Sequence, residues 1–252
     1  ISVGDTKVRF SIQSISKIIT LAVALEICGF DQVFKKVGME PTGDPFNSLM
    51  KLENTDSSPY NPMINAGAIV VASCLASEIS FDTMLDTIRA LCMDPDINLD
   101  KKVYHSEMSH ISRNRAIAYL LESKGYIEKN KDVENSLHFY VKMCSLSVTA
   151  ESLAGLGLIL ANDGIHPDTG KRLLSSQAVK IVKTLMFTCG MYDGSGEFAV
   201  RVGIPSKSGV GGGILSVVDG EMGIGIFGPA LDKKGNSVAG ECVLEYMSHE
   251  LH

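Results

Sequence analysis

A serine and a lysine three positions apart, Ser14-Ile15-Ser16-Lys17, are the first residues in the chain whose types and spacing suit covalent chemistry. On a helix, positions i and i+3 share a face, so the lysine amine reaches the serine hydroxyl. Ser14 stands at the start of a predicted helix, where free backbone N–H groups favour a developing negative charge. A desolvated lysine is able to lose its proton and act as a base towards serine. The pattern alone is weak: average composition gives about one S-x-x-K by chance in a chain of this size. Ser48-Leu49-Met50-Lys51 is a second instance, in a Pro/Gly-rich stretch with no clear helix start. Taken singly, Ser14 reads as an N-terminal helix residue.

Two further motifs follow in order. Ser112-Arg113-Asn114 is the only S-x-N, and Lys207-Ser208-Gly209 is the only K-[ST]-G, placed just before a Gly-rich run and a strand. Each is common, and Lys207 alone reads as a surface lysine. The ordered set, on a helix start, a helical region and a sheet, is much rarer. It matches the signature of serine β-lactamases and penicillin-binding proteins. A decoy lies nearby: Gly223-Ile224-Gly225-Ile226-Phe227-Gly228 fits G-x-G-x-x-G, but the dinucleotide reading needs a helix opening inside the glycines. Here they fall within an apolar strand pattern, which predicts a strand with small residues facing a packed helix. The run from Gly209 to Gly213 lacks the Lys-Ser/Thr ending of a phosphate loop.

Composition narrows the partners. The chain has 252 residues, 45% of them hydrophobic and 21% charged, with a formal net charge of −6. That acidic balance argues against a nucleic-acid or anionic-membrane surface. The longest apolar run, Ile64 to Ala72, is about half of what spans a bilayer. The six cysteines and six histidines show neither C-x-x-C nor H-E-x-x-H, so no metal is expected. Most cysteines sit in apolar surroundings, which points to buried free thiols and a reducing cytoplasm.

The elements that must position these residues are legible as blocks. Arg9–Ile12 is extended. Ser14–Cys28 has helical apolar spacing and is closed by Gly29. The stretch from Phe30 to Tyr60 reads as irregular with short helical pieces. Helices are predicted over Pro62–Ser77 (apolar nearly all round, hence central), Phe81–Met93, Ser106–Lys124 and Val133–Cys144. Thr149 is the N-cap of a helix to Asn162, with Glu151 favourable in its first turn. Ser176–Cys189 is a further helix. Phe198–Val202, Ile214–Val218 and Met222–Phe227 read as antiparallel strands, and Ser237–Leu251 as a closing helix. Such segregation indicates an α+β fold. The first and last blocks (about 1–30 and 150–252) would share one sheet, with a helical lobe (about 31–149) beside it and the site between them.

Five longer strings resemble the serine-dependent glutaminases, a family of the β-lactamase/transpeptidase-like fold. They are Phe10–Lys17, Asn61–Ile69, Arg113–Tyr119, Cys189–Asp193 and Lys207–Gly213. The resemblance covers nearly the whole chain, as one glutaminase domain over 1–252. It implies hydrolysis of L-glutamine to glutamate and ammonia through an acyl-enzyme, with Ser14 as nucleophile and Lys17 as its base. Tyr192 corresponds to the family's tyrosine beside the nucleophile, and backbone N–H groups of Ser14 and Val210 to its oxyanion hole. Asn65, Glu107, Asn114 and Tyr140 correspond to substrate-binding positions. The chemistry is consistent: a substrate ammonium suits Glu107, and an α-carboxylate suits Tyr140 and the two amides. Glu107 and Asn114, seven apart, would share a face of one helix. The resemblance implies no metal or organic cofactor, a small-molecule substrate, and a homodimer or homotetramer. The family's segment preceding Ile1 is not in this chain. A β-lactam-reactive serine hydrolase is the alternative, because it shares all three short motifs.

Overall fold

The computed structural model describes residues 1–42, 58–129 and 131–251. Ser48-Leu49-Met50-Lys51, and with it about half of the stretch expected to be irregular, lies outside the described residues. The chain enters through a short strand, β1 (Phe10–Ser11), a 3-10 turn at Gln13–Ile15, and helix α1 (Ser16–Ile27). Ten successive residues of α1, Ser16 to Leu25, are buried. The helix gives way to Gly29, whose φ of 84° only glycine adopts readily. A short α2 (Phe30–Phe34) follows. Helix α3 (Asn65–Leu75) is buried at all eleven positions, as its all-round apolar pattern predicts. It packs against α1 and α7 (Val133–Cys144). Helix α4 (Phe81–Leu91) turns Met84, Leu85, Ile88 and Leu91 inward.

The stretch expected to be one helix over Ser106–Lys124 is two: α5 (Lys101–Ser109) and α6 (Ser112–Ser123). Asp100 caps α5 early by accepting from the N–H groups of Lys102 and Val103. At its end the Ser109 hydroxyl and the His110 ring both turn back to the Ser106 carbonyl, which breaks the ladder before Ser112. Glu107 and Asn114 therefore sit on different helices.

Two three-stranded antiparallel sheets are described, which corrects the expectation of one sheet shared by both ends of the chain. β1 pairs with β3 (Leu146–Val148), Phe10 opposite Val148, and β3 pairs with β2 (Asn98–Leu99). The second sheet holds β4 (Ser206–Ser208), β5 (Gly213–Val218) and β6 (Met222–Phe227). Side chains rather than strand pairing join the two: Phe10 stacks on Phe227 with ring centroids 4.4 Å apart. Phe198–Val202, read as a strand, lies instead in and just after α10 (Ser195–Arg201). Alternation would bury 198, 200 and 202 alike. The helix buries Phe198 and Val202, four apart, and leaves Val200 at 89% exposure.

Helix α8 (Ala150–Ala161) begins at Thr149, which forms a capping box with Ser152. It lies against β5 and β6. Closeness is set by glycine: a Cβ on Gly223 would meet the Leu158 nitrogen at 2.1 Å, and one on Gly225 the Ala150 carbonyl oxygen at 1.9 Å. The G-x-G-x-x-G pattern is thus a helix-packing face, as expected. The remaining helices are α9 (Ser176–Cys189) and α11 (Val238–Leu251). Among the described residues no helix is long and apolar enough to cross a membrane.

This packing is testable. Gly225→Ala must push α8 off the sheet, with an expected loss of about 2–3 kcal/mol in urea unfolding. Gly196→Ala, where an added Cβ meets nothing within 4 Å, is expected to change stability by no more than about 0.5 kcal/mol.

Candidate active site

Ser14 reaches its position through a constrained entry. The Ile12 N–H donates to the Leu146 carbonyl, and Gln13 then takes a φ of 49°, unfavourable for a residue with a side chain. The turn leads straight into α1, so Ser14 is buried at the head of the helix and Lys17 one turn on. Lys17 Nζ lies 3.2 Å from Ser14 Oγ. It also donates to the Met63 carbonyl at 3.1 Å and to Asn65 Oδ1 at 2.8 Å. All three partners are neutral. Burial without a counter-ion lowers the Lys17 pKa to about 8, with the nearby Cys144 thiol opposing the shift.

The Asn61–Ile69 string builds the other side of that amine. Asn61 Oδ1 accepts from the Met63 N–H, which shapes the turn that aims the Met63 carbonyl at Lys17. Gly67 lets α3 pass beneath: a Cβ there would sit 2.0 Å from the Asn61 carbonyl oxygen. Asn65 opens α3, with one end of its amide on Lys17 and the other donating to Asn114 Oδ1 at 3.1 Å. Glu107, on α5, accepts from Gln13 Nε2 at 3.2 Å. The loss of a single helix does not separate Glu107 from Asn114: both face the turn at Ser14, one through Gln13 and one through Asn65.

Tyr140, on α7, is buried and hydrogen-bonds the Cys144 thiol. Burial raises its pKa well above the ordinary phenol value, and Cys144 and Glu107 add to the effect. The Cys144 thiol also accepts from Ser16 Oγ at 3.7 Å. Tyr192 stands on a 3-10 turn after α9 with a φ of 56°, a second strained non-glycine backbone at the site. Burial pushes its pKa up to about 12, while the Ser14 side chain and the Val210 N–H, which face the phenol, hold it down. Val210 is brought there by its glycine neighbours. A Cβ on Gly209 would meet the Ile12 carbonyl oxygen at 2.8 Å, and one on Gly211 the Ser11 carbonyl oxygen at 2.2 Å. The loop therefore lies directly on the strand that leads to Ser14.

Every candidate residue, Ser14, Lys17, Asn65, Glu107, Asn114, Tyr140, Tyr192 and Val210, thus belongs to one connected cluster. Lys207 is not a surface lysine. It is wholly buried, with its amine under the Tyr192 ring. Sequence reasoning did not single out Gln13, Cys144 or the Met63 carbonyl. Gln13 lies within the Phe10–Lys17 segment, but its left-handed backbone leaves no trace in residue type. A cleft of about 460 Å³ opens beside Tyr192, between Met63, Asn61 and the end of α9 at Phe187–Cys189. Among the described residues no group of three or more His, Cys, Asp and Glu is placed to hold a metal.

Comparison with known proteins follows the same outline. The family described as Glutaminase matches residues 1–252. A protein named Glutaminase from Fusobacterium nucleatum subsp. nucleatum is 54% identical over 252 residues, which cover 98% of this chain and 82% of the relative. One from Clostridioides difficile is 53% identical over 254 residues, covering 99% and 82%. The crystal structure of a probable glutaminase of Bacillus subtilis superimposes with a TM-score of 0.92 at 41% identity, covering 98% of this chain and 83% of that one. The crystal structure of a Bacillus subtilis glutaminase in covalent complex with 5-oxo-L-norleucine, formed by reaction with 6-diazo-5-oxo-L-norleucine, gives a TM-score of 0.86 at 38% identity, covering 98% of this chain and 82% of that one.

The neutral surroundings of Lys17 carry a prediction. Asn65→Asp places a carboxylate where the 2.8 Å acceptor now stands. The Lys17 pKa should then rise by about 1–3 units, read from the pH titration of its ε-carbon by NMR. An unchanged titration would show that Asn65 does not set the state of the amine.

Proposed function

The chain belongs to the glutaminase family, and on that premise we propose that Ser14, deprotonated by Lys17, carries the hydrolysis through an acyl-enzyme. The protein is an L-glutamine amidohydrolase, yielding glutamate and ammonia. One observation supports the nucleophile above all: a buried amine with a pKa near 8 stands 3.2 Å from a buried serine hydroxyl at a helix start. The covalent adduct of the Bacillus subtilis relative with a glutamine-shaped electrophile agrees with covalent chemistry in this fold.

In this reading Ser14 Oγ bonds to the carboxamide carbon as its proton passes to Lys17 Nζ. The Ser14 and Val210 N–H groups hold the oxyanion, preorganised by the glycine loop. Tyr192, kept protonated by burial, stands beside Ser14 and relays the proton that the departing nitrogen needs. The C–N bond breaks and ammonia leaves. Water then attacks the ester, giving up its proton along the same path, and glutamate and free Ser14 are released. Glu107 takes the substrate ammonium. Tyr140, Asn65 and Asn114 take the α-carboxylate. Asn114 accepts on its oxygen from Asn65, so its NH₂ is the end that serves a ligand.

The site then lies between a sheet-containing lobe, about 1–30 and 150–252, and a helical lobe, about 31–149. Self-association as a homodimer or homotetramer agrees with apolar residues exposed on α11, where Val238, Val243 and Tyr246 stand out. Burial of Cys74, Cys92, Cys144 and Cys189 as free thiols accords with a cytoplasmic setting.

Ser14→Ala is expected to abolish ammonia release from glutamine while keeping the melting temperature, and retained activity would remove Ser14 from the mechanism. A chromogenic cephalosporin should not turn over. The pH profile follows from the base: below about 8 Lys17 holds a proton and cannot accept one. kcat/KM should therefore climb with pH and level off above about 8. A profile flat from pH 6 to 9 would contradict Lys17 as the base.

A further inference from the structure

The wholly buried Lys207 has no part in the mechanism above, yet the cost of burying an amine calls for a reason. Its Nζ donates to the Gly190 carbonyl at 3.1 Å and to the Ser208 carbonyl at 2.5 Å. The Gly190 carbonyl also accepts the Ser208 N–H at 3.1 Å. The amine thus staples the end of α9 to β4 at the point where the chain turns into Tyr192. The approach there is tight: a Cβ on Gly190 would stand 1.8 Å from the Ser206 carbonyl oxygen. Beyond the staple, Nζ lies 4.5 Å from the centroid of the Tyr192 ring. Gly235, at a φ of 96°, crowds the ring edge, its Cβ position 3.6 Å from Tyr192 Cε2 and 3.3 Å from Val210 Cγ1. The backbone is pinned as well, with Ser195 Oγ accepting from the Met191 N–H and donating to the Tyr192 carbonyl.

From this arrangement we infer that Lys207 is a positioning residue for the reaction, holding the Tyr192 ring so that its hydroxyl meets Ser14 and the Val210 N–H. Lys207 does not touch the reacting atoms. It acts through Tyr192, and the inference rests on the role given to Tyr192 above. Burial, and then the nearby Lys17, push the Lys207 pKa down, so the amine packs on the ring with its charge disfavoured. Two adjacent lysines then do different work: Lys17 exchanges a proton with Ser14, and Lys207 fixes the partner on the other side.

A double-mutant cycle tests this. Lys207→Met keeps the length and the buried shape but removes the donors. It should lower kcat for glutamine at least tenfold with KM changed less than threefold. Tyr192→Phe should lower kcat as well. In the Tyr192→Phe background, Lys207→Met should cost no more than a further twofold, because the group it positions is gone. Losses that multiply in full would make Lys207 a structural residue and overturn the inference, as would a Lys207→Met enzyme within twofold of the wild type. If Tyr192→Phe alone keeps full activity, the reading of Tyr192 fails first and this inference falls with it. Should Lys207→Met not fold, the native enzyme decides. With lysine labelled at the ε-carbon, the wild type and Tyr192→Phe should both show one ring-shifted lysine resonance, lost in Tyr192→Leu. Absence of that resonance in the wild type overturns the inference.

Discussion

The site depends on keeping an amine out of water with no carboxylate to meet it. Lys17 bonds a hydroxyl, a backbone carbonyl and a side-chain amide, and among the described residues none of its hydrogen-bond partners is anionic. An ion pair would have satisfied the amine more fully, but it would have held the proton on. Neutral acceptors satisfy the donors while leaving burial free to lower the pKa. The demand reaches outward: three acceptors must come from separate elements. They are the 3-10 turn before α1, the turn before α3, and α3, each buried and each held by its own contacts, such as Asn61 on the Met63 N–H.

Close approach of backbone to backbone meets that demand. Glycines at 67, 190, 209, 211, 223 and 225 each stand where a Cβ would come within 2.8 Å of a backbone atom of another segment. Strain is concentrated in the same region. Among the described residues four non-glycine positions have positive φ, and two of them, Gln13 and Tyr192, flank Ser14. Such conformations cost roughly 1–3 kcal/mol each and persist only where surrounding contacts fix them. The Ile12 N–H bond to Leu146 does so for Gln13, and the Ser195 hydroxyl does so for Tyr192.

How much of this was legible follows from what each signal encodes. Periodicity reports burial of a face, so α1, α3 and α8 and the strands β5 and β6 were readable. It fails where a short segment satisfies two periods: Phe198 and Val202 fit both alternation and a helical turn, and only the exposure of Val200 separates them. The break at His110 was invisible because it comes from side chains turning back on their own backbone, with no proline or glycine to mark it. Strand pairing was misjudged because β1 and β3 are two and three residues long, too short to carry a pattern. The convergence of the site residues rested on family resemblance. Composition gave no hint that Lys207 lies wholly inside, since an isolated lysine reads as surface.

The ionisable groups inside the cluster share one tendency. Burial lowers the pKa of Lys17 and Lys207 and raises those of Tyr140, Cys144 and Tyr192. At neutral pH burial therefore opposes charge on each of them, and Glu107 stands at the half-buried rim beside Gln13. That pattern suits the substrate. An amino acid with a neutral side-chain amide keeps its charges at one end and carries none at the other, which fits this division if the amide is the end that enters. Under the proposed chemistry hydrolysis turns that amide into a carboxylic acid, and such an interior lets the acid ionise only where a neighbouring group such as Lys17 holds the proton.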